Sequence, residues 1–154
     1  MWHPVITKTD GEALLSAFGF FHDACIHELH LWGGYYVSPD FKMTCPDTPD
    51  LKCRLIVQRQ RADPSAVELL FDRVSHIAIA TPAGYDRIIS AATLRMEEQK
   101  IVWSPDYDFE KTEPEFGVAS VIESARLWWR PVATALGPEL KYAPIREVPD
   151  GFAL

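Results

Sequence analysis

The residues best suited to chemistry are concentrated in residues 22–30. This stretch reads His-Asp-Ala-Cys-Ile-His-Glu-Leu-His, and imidazoles and carboxylates are the usual ligands of zinc, iron and manganese. On a helix, Asp23, His27 and His30 would share one face at spacings of four and seven residues. On a strand, Glu28 and His30 would share a face while His27 points away. The stretch therefore predicts a metal site only if it is helical.

Known metal motifs fit this stretch poorly. A zinc-protease helix needs two residues between the glutamate and the second histidine, whereas one residue separates Glu28 from His30. The pair His22-Asp23 is similar to that of metal phosphohydrolases, but those domains are helical and need further motifs that the sequence lacks. A metal-dependent hydrolase using His22, Asp23, His27, Glu28 and His30 is the alternative function. We expect no metal or cofactor, with His22 and Asp23 bonding to backbone at a helix-to-strand junction.

Nucleophilic catalysis has little support, since the sequence contains neither a Gly-x-Ser-x-Gly elbow nor a glycine-rich phosphate loop. The three cysteines, Cys25, Cys45 and Cys53, cannot all pair and match no zinc-ribbon spacing. An imidazole could activate Cys25, but an inert core thiol is the expected state. Reduced thiols are typical of cytoplasmic proteins, which predicts this localisation.

Residues 105–115 form an acidic loop with five carboxylates and one lysine. Asp106, Asp108 and Glu110 imitate the start of a calcium loop. The sixth position is lysine instead of glycine and the twelfth is glycine instead of glutamate, which excludes an EF-hand. The loop is either a solvated surface or an acidic contact surface for a basic protein partner.

Two aromatic doublets, Tyr35-Tyr36 and Trp128-Trp129, supply a second indication of binding. Neighbouring residues on a strand point to opposite faces, so the two rings of a doublet cannot enter the same core. One ring of each doublet must be covered by the tail of the chain, by a second subunit or by a partner. The predicted partner-binding residues are Trp128, Trp129, Asp106, Asp108 and Glu110.

Length and charge limit the classes of function. The 154 residues match a single domain, with a composition that is 47% hydrophobic and 24% charged. The net charge of −7 argues against binding to nucleic acid or to an anionic membrane, and favours a basic partner. The first residues lack the charge and apolar pattern of a signal peptide, and no apolar run approaches the ~18 residues of a membrane span.

The first predicted element is a short helix near residues 10–18. Thr9 is the predicted N-cap, with Glu12 completing a capping box, and the apolar residues that follow have helical spacing. Gly19 is predicted to end the helix.

Residues 53–104 are predicted to form consecutive antiparallel strands, because apolar and polar residues alternate there with a period of two. From about residue 131 onward, prolines prevent a long regular element, so an irregular tail is expected to wrap the surface. The sequence therefore predicts an α+β fold that is mainly antiparallel β, with one or two sheets arranged as a sandwich or a half-barrel. The strands are expected at 53–61, 67–72, around 77–79, 87–96 and 100–104.

One segment, residues 118–130, is ambiguous. Its apolar residues match helical spacing, so periodicity alone predicts a helix. As a strand it would place Val121, Ala125, Leu127 and Trp129 on one face, with Glu123 on the same face as the misfit.

Three stretches carry a resemblance that bears on this segment. Residues 18–29 (Phe-Gly-Phe-Phe-His-Asp-Ala-Cys-Ile-His-Glu-Leu) resemble an opening motif of small uncharacterised bacterial proteins. Residues 101–106 (Ile-Val-Trp-Ser-Pro-Asp) and 120–130 (Ser-Val-Ile-Glu-Ser-Ala-Arg-Leu-Trp-Trp-Arg) are similar to a later hairpin strand and a closing strand of the same proteins. Some of these proteins look like immunity proteins that neutralise bacterial toxins. The resemblance implies a strand at 120–130, and we adopt it over the helix.

The leading functional hypothesis is a non-catalytic protein-binding module, either an immunity-type inhibitor or a homo-oligomer such as a homodimer. The metal-dependent hydrolase described above is the alternative. Binding of a small molecule among the aromatic side chains inside a β-sandwich is a third hypothesis.

Overall fold

The computed structural model describes residues 1–48, 50–80, 87–107, 109, 119–132 and 136–142. The helix α1 is Lys8–Ala17, and a 3-10 turn follows at Gly19–Phe21. The described strands are β1 (His3–Val5), β2 (Ala24–Trp32), β3 (Tyr36–Val37), β4 (Met43–Thr44), β5 (Lys52–Arg59), β6 (Ala66–Ala78), β7 (Thr93–Glu97), β8 (Lys100–Ser104) and β9 (Val121–Pro131).

Seven of the described strands form one antiparallel sheet in the order β2-β5-β6-β9-β8-β7, with β1 also paired to β9. Strands β3 and β4 form a separate hairpin. This confirms the predicted α+β class, mainly antiparallel β with a short N-terminal helix. β9 has a central position, because β6 pairs along one of its edges while β8 and β1 share the other.

β9 is a strand over most of the segment whose periodicity predicted a helix. Its apolar residues occupy both faces, since Val121 and Ile122 are both buried and the rings of Trp128 and Trp129 follow one another. A central strand with neighbours on both edges can bury side chains on both faces. Such a pattern departs from simple alternation and imitates helical spacing.

β6 is a single long strand, so the separate strand predicted around residues 77–79 is wrong. A β-bulge between Val74 and His76 shifts its pairing with β9, and Arg73 adopts a φ of +53° beside it. The bulge interrupts the alternation, which is why the sequence suggested two strands. The predicted hairpin over 87–104 is shorter than expected, because β7 begins only at Thr93.

The sheet curls toward closure as a half-barrel. The backbone N–H of Ile89, in the segment that leads into β7, donates to the carbonyl of Ala24 at the start of β2 over 2.7 Å. The N–H of Ala92 donates to the carbonyl of Phe20 over 2.9 Å. These bonds join the regions of the two edge strands, so the inner face surrounds a single core.

Aromatic side chains fill this core. Trp103 is fully buried on β8, and the rings of Phe21 and Phe71 pack against it with centroid distances of 5.9 and 6.2 Å. Phe18 packs edge-on against Phe21 at 5.0 Å, and Leu14 on α1 is also fully buried. Burying rings of this size dominates the stabilisation of a small domain.

The capping box of α1 is two residues earlier than predicted. The N-cap is Thr7, which accepts from the N–H of Asp10 at 3.3 Å, while the Asp10 carboxylate accepts from the N–H of Thr7 at 2.8 Å. This backbone bond, with the Thr7 hydroxyl, lowers the pKa of the Asp10 carboxyl. Thr7 lies two residues after the end of β1, so the chain starts the helix at its first available cap. None of the described helices is long and apolar enough to cross a membrane.

The three cysteines are free thiols with different environments. Cys25 and Cys45 are exposed, so the core thiol expected at Cys25 is wrong, while Cys53 is buried on β5 and burial raises the pKa of its thiol to about 12. We expect two thiols per chain to react rapidly with Ellman's reagent at about pH 8, and the third only after unfolding in denaturant. Replacing Cys53 by alanine should leave the rapid phase unchanged, and three rapid thiols in the folded chain would contradict this assignment.

Candidate functional site

The predicted ligand stretch, residues 22–30, lies mostly on β2. His22 and Asp23 are exposed at the junction that precedes the strand, with His22 Nδ1 3.5 Å from Asp23 Oδ1. Because the stretch is extended, Asp23, His27 and His30 do not share a helical face. In the part of the chain that the structure describes, no group of three or more His, Cys, Asp and Glu residues is placed to hold a metal ion.

A β-bulge changes the direction of two side chains in this stretch. The pairing of β2 with β5 shifts between Ile26 and Glu28, which leaves His27 as the extra residue. Simple alternation would send His27 and Glu28 to opposite faces. Instead, both side chains contact residues 136–142. His27 Nε2 lies 3.1 Å from the carbonyl oxygen of Glu139, and the Glu28 carboxylate binds the end of the same segment.

Glu28 is a buried carboxylate that binds backbone. Its two oxygens accept hydrogen bonds from the consecutive N–H groups of Lys141 and Tyr142, each over 2.7 Å. A carboxylate and two amides in this geometry form strong, charge-assisted hydrogen bonds. Glu28, which the sequence suggested as a metal ligand, here holds a distant part of the chain.

Glu68 is the most deeply buried charge on the same face of the sheet, with 3% of its side chain exposed. Nε and Nη2 of Arg130 each lie 2.6 Å from its Oε2. Its Oε1 accepts from the Tyr142 hydroxyl at 3.1 Å and lies 3.7 Å from Nε of Arg54. Strand pairing produces this arrangement, because Glu68 on β6 is paired with Ile56 on β5 at one edge and with Arg130 on β9 at the other.

The Tyr142 phenol remains a proton donor in this environment. Burial raises its pKa above the usual range, and the charge of Glu68 and the hydrogen bond to it raise it further. Its ring packs with Val132 beside the buried Ile56 and Ala66.

Aromatic rings surround the two arginines. The Arg130 guanidinium lies 4.5 Å from the ring centre of Trp2, and that of Arg54 lies 5.6 Å from the ring centre of Trp32. His30 packs against Trp32 at 5.1 Å. These contacts restrict the orientation of the two guanidinium groups and shield part of their charge from solvent.

We call Glu28, Arg54, Glu68, Arg130 and Tyr142 the outer-face cluster. Both carboxylates are already engaged with N–H, guanidinium or phenol donors of the chain itself. Two of these donors are the consecutive backbone N–H groups of Lys141 and Tyr142, so the cluster fixes this part of the chain on the outer face.

The two tryptophans of β9 lie on opposite faces, as expected for neighbours on a strand. Trp129 packs against the main core and stacks on His3 at 4.7 Å. Trp128 stands opposite Leu70 and Pro4 on the outer side. It lines an open groove of about 410 Å³. The groove is also lined by Ile6, Met96 and the carboxyl-bearing Glu97 and Glu98.

The structure does not bring Asp106 next to Trp128. The Asp106 carboxylate accepts from the N–H of Ser120 at 3.0 Å, and its backbone carbonyl accepts from the Thr93 hydroxyl at 2.8 Å. Ser120 precedes Trp128 by eight residues, or about 25 Å along an extended chain. Asp108 and Glu110 lie outside the described residues, and the binding role of these five predicted residues stays a prediction.

A more exposed apolar surface lies on the hairpin formed by β3 and β4. We call residues 35–44 the aromatic hairpin. Its five large apolar side chains are 57–90% exposed: Tyr35, Tyr36, Val37, Phe41 and Met43. Phe41 at the turn is the most exposed of them.

The turn of the aromatic hairpin is held by its own polar groups. The Asp40 carboxylate lies 2.7 Å from Lys42 Nζ and accepts from the Ser38 hydroxyl, and both contacts lower the pKa of its carboxyl. The N–H of Phe41 donates to the carbonyl of Ser38 at 2.9 Å, and Phe41 adopts a φ of +61°. This left-handed conformation costs about 1–2 kcal/mol for a bulky residue, and the ring that adopts it is exposed.

The base of the hairpin depends on a glycine. A Cβ atom at Gly34 would collide with the carboxylate of Asp50. Asp50 in turn lies 3.8 Å from Lys52 Nζ at the start of β5. Gly34 therefore lets the chain leave β2 close to the Asp50 side chain, in the loop that precedes β5.

Sequence reasoning missed parts of both surfaces. The doublet Tyr35-Tyr36 indicated the aromatic hairpin, but Phe41 and Met43 carried no separate signal. Glu68 was detectable as a single charge between apolar neighbours in a strand. Its contact with Tyr142 joins residues 74 positions apart, which no local pattern predicts.

No family model, no curated protein and no solved structure matches this chain. Its function must therefore be inferred from the chemistry of its own surfaces. The outer-face cluster and the aromatic hairpin are the two described regions whose composition points to binding.

Proposed function

We propose that the chain is a non-catalytic protein-binding module and that the aromatic hairpin is its contact surface. The observation that carries the proposal is the exposure of five large apolar side chains within ten consecutive residues. Aromatic residues and methionine are enriched in protein interfaces, and aromatic anchors supply most of the binding energy.

The size of this surface suits a partner. Three aromatic rings with the valine and methionine side chains expose on the order of 600 Å², taking ~150–250 Å² per aromatic side chain. The largest apolar patch of a typical monomer is about 300–600 Å², and a standard interface buries about 800 Å² per partner. Neighbours on β3 point to opposite faces, so this area is divided between the two faces of the hairpin, and a partner that wraps around the hairpin would cover most of it.

The hairpin is also preorganised for binding. Its turn is closed by hydrogen bonds and by the Asp40–Lys42 ion pair, so little conformational entropy remains to be lost on association. Because these two charges neutralise each other, a partner can cover the rings without burying an unpaired charge. This suits either a heterologous protein, such as a toxin neutralised by an immunity-type inhibitor, or a second copy of the chain.

Site-specific photocrosslinking tests the proposal, because it captures whichever protein lies against the hairpin. A photoreactive phenylalanine replaces Phe41, and a matched control replaces Tyr107, an exposed aromatic residue outside the hairpin. We expect adducts from position 41 well above those from position 107, when each protein is expressed in its source cells. An adduct with a second copy supports the homo-oligomer, and an adduct with one defined protein supports the inhibitor.

The same surface predicts the effect of substitutions. Tyr36→Ser and Phe41→Ser should each weaken the crosslinked association by about 2 kcal/mol, roughly 30-fold. Their stability should change by less than ~0.5 kcal/mol, because neither ring belongs to the core. Sedimentation or calorimetry measures the association. Equal crosslinking from positions 41 and 107, or an association unaffected by both substitutions, would refute the proposal.

A further inference from the structure

Residues 136–142 lie on the outer face of the sheet and are held there largely through their backbone. Gln58 Nε2 donates to the carbonyl of Gly137 at 3.2 Å, and His27 Nε2 lies 3.1 Å from the carbonyl oxygen of Glu139. Glu28 accepts from the two consecutive N–H groups that end the segment. These four contacts go to main-chain atoms, so they do not depend on the side chains of the segment.

The side chain of Tyr142 is recognised individually. Tyr142 donates its hydroxyl to Glu68 and packs beside Ile56 and Ala66, with its ring 5.9 Å from that of His30. The other side chains of the segment are exposed, from Leu136 to Lys141. Backbone contacts combined with one partly buried aromatic anchor are a recurring mode of peptide recognition.

We propose that this face is a binding site for a bent, tyrosine-bearing segment of another protein molecule, which residues 136–142 occupy in cis. The ligand must offer two free N–H groups, at the tyrosine and at the residue before it, to the Glu28 carboxylate. It must also offer an uncharged phenol to Glu68. A phosphorylated tyrosine would lose the hydrogen bond that the hydroxyl donates to Glu68 and would place its charge against that carboxylate. The proposal does not rest on the aromatic hairpin.

Residues 136–142 have the properties of a segment that an external ligand can displace. Among the described strands none pairs with it, and most of its side chains remain in solvent. Because it belongs to the same chain, it competes with any external ligand at a high effective concentration. An external segment should therefore bind weakly to the native chain and more tightly when the internal tyrosine is removed.

A labelled peptide tests this competition in the full chain. The probe is the capped peptide Leu-Gly-Pro-Glu-Leu-Lys-Tyr, which copies residues 136–142, and binding is followed by fluorescence polarisation. We expect Tyr142→Ala protein to bind it at least about tenfold more tightly than the native chain. Peptides with alanine in place of the tyrosine, or proline in place of the lysine, should bind about tenfold more weakly or worse.

Two further variants test the same site in independent ways. Adding Glu28→Ala to Tyr142→Ala should abolish peptide binding, because the acceptor of both N–H groups is lost. Lys141→Pro weakens the internal segment in a different way. It removes the N–H that donates to Glu28 and leaves the Tyr142 side chain in place. Thermal unfolding monitors whether each variant is folded.

The proposal is overturned if the opened variants bind the tyrosine peptide no better than the alanine peptide. It is also overturned if Tyr142→Ala and Lys141→Pro both abolish cooperative unfolding, since the segment would then be an inseparable part of the fold. Tight binding of the phosphotyrosine peptide would contradict the assignment of Glu68 as the acceptor of a neutral phenol.

Discussion

Phe71→Ala is expected to lower the free energy of unfolding by about 3–5 kcal/mol, the largest effect that we predict for one substitution. Phe71 is fully buried on β6 and packs against Trp103 in the centre of the half-barrel. Removing the ring leaves a cavity that the surrounding strands cannot fill, because the neighbours are paired on both edges of β6. Urea unfolding followed by tryptophan fluorescence measures the change.

The matched control is Phe41→Ala on the aromatic hairpin. It removes the same atoms from a ring that is 90% exposed, so we expect a change of less than ~0.5 kcal/mol. Similar losses for the two variants would mean that the hairpin is part of the core, and the proposed contact surface would lose its basis.

Glu68→Gln is expected to lower the free energy of unfolding by about 2–3 kcal/mol. The substitution leaves Arg130 and Arg54 close to a neutral amide in a largely buried position. Breaking a fully buried pair costs about 3–5 kcal/mol, and we reduce this value because both arginine side chains remain about 40% exposed. Chemical denaturation at neutral pH measures the loss.

Two comparison variants distinguish the loss of the buried Glu68 charge from the general effect of removing a carboxylate. Glu97→Gln removes a carboxylate that lies 3.4 Å from Lys100 on the more exposed tip of the β7–β8 hairpin, and should cost less than ~0.5 kcal/mol. Replacing both Glu68 and Arg130 by leucine should recover part of the stability that Glu68→Gln loses, because Arg130 no longer lacks its partner, while Arg54 and the Tyr142 hydroxyl still lose their contacts with Glu68. A double variant less stable than Glu68→Gln would show that packing, not charge, is the dominant contribution.

Local patterns were sufficient to predict much of this fold. The alternation along β5 and the first half of β6 gave the strands, because each of these strands buries one face against the core. The helix was predicted within two residues, and Gly19 does end it, with a φ of +59°. Periodicity misled at 118–130, where a central strand buries residues on both faces.

The binding surfaces were harder to predict, and for different physical reasons. Glu28 was selected for its type, but its partners lie 113 and 114 positions later in the sequence. The bulge that directs His27 to the same segment has no sequence signature in the stretch itself. Tyr35 and Tyr36 were expected to need a cover for one ring, yet both are exposed, because β3 belongs to a small hairpin with no core of its own.

The central position of β9 has a consequence for how the protein is made. Glu68 and Arg130, which face each other across β6 and β9, are 62 residues apart in the chain. During synthesis, β6 therefore leaves the ribosome long before the strand that covers its edge. Until β9 follows, the nascent chain presents an unpaired strand with a row of free backbone donors and acceptors. Sheet completion must wait for residue 131 to emerge, so this edge of β6 is open to non-native pairing during synthesis.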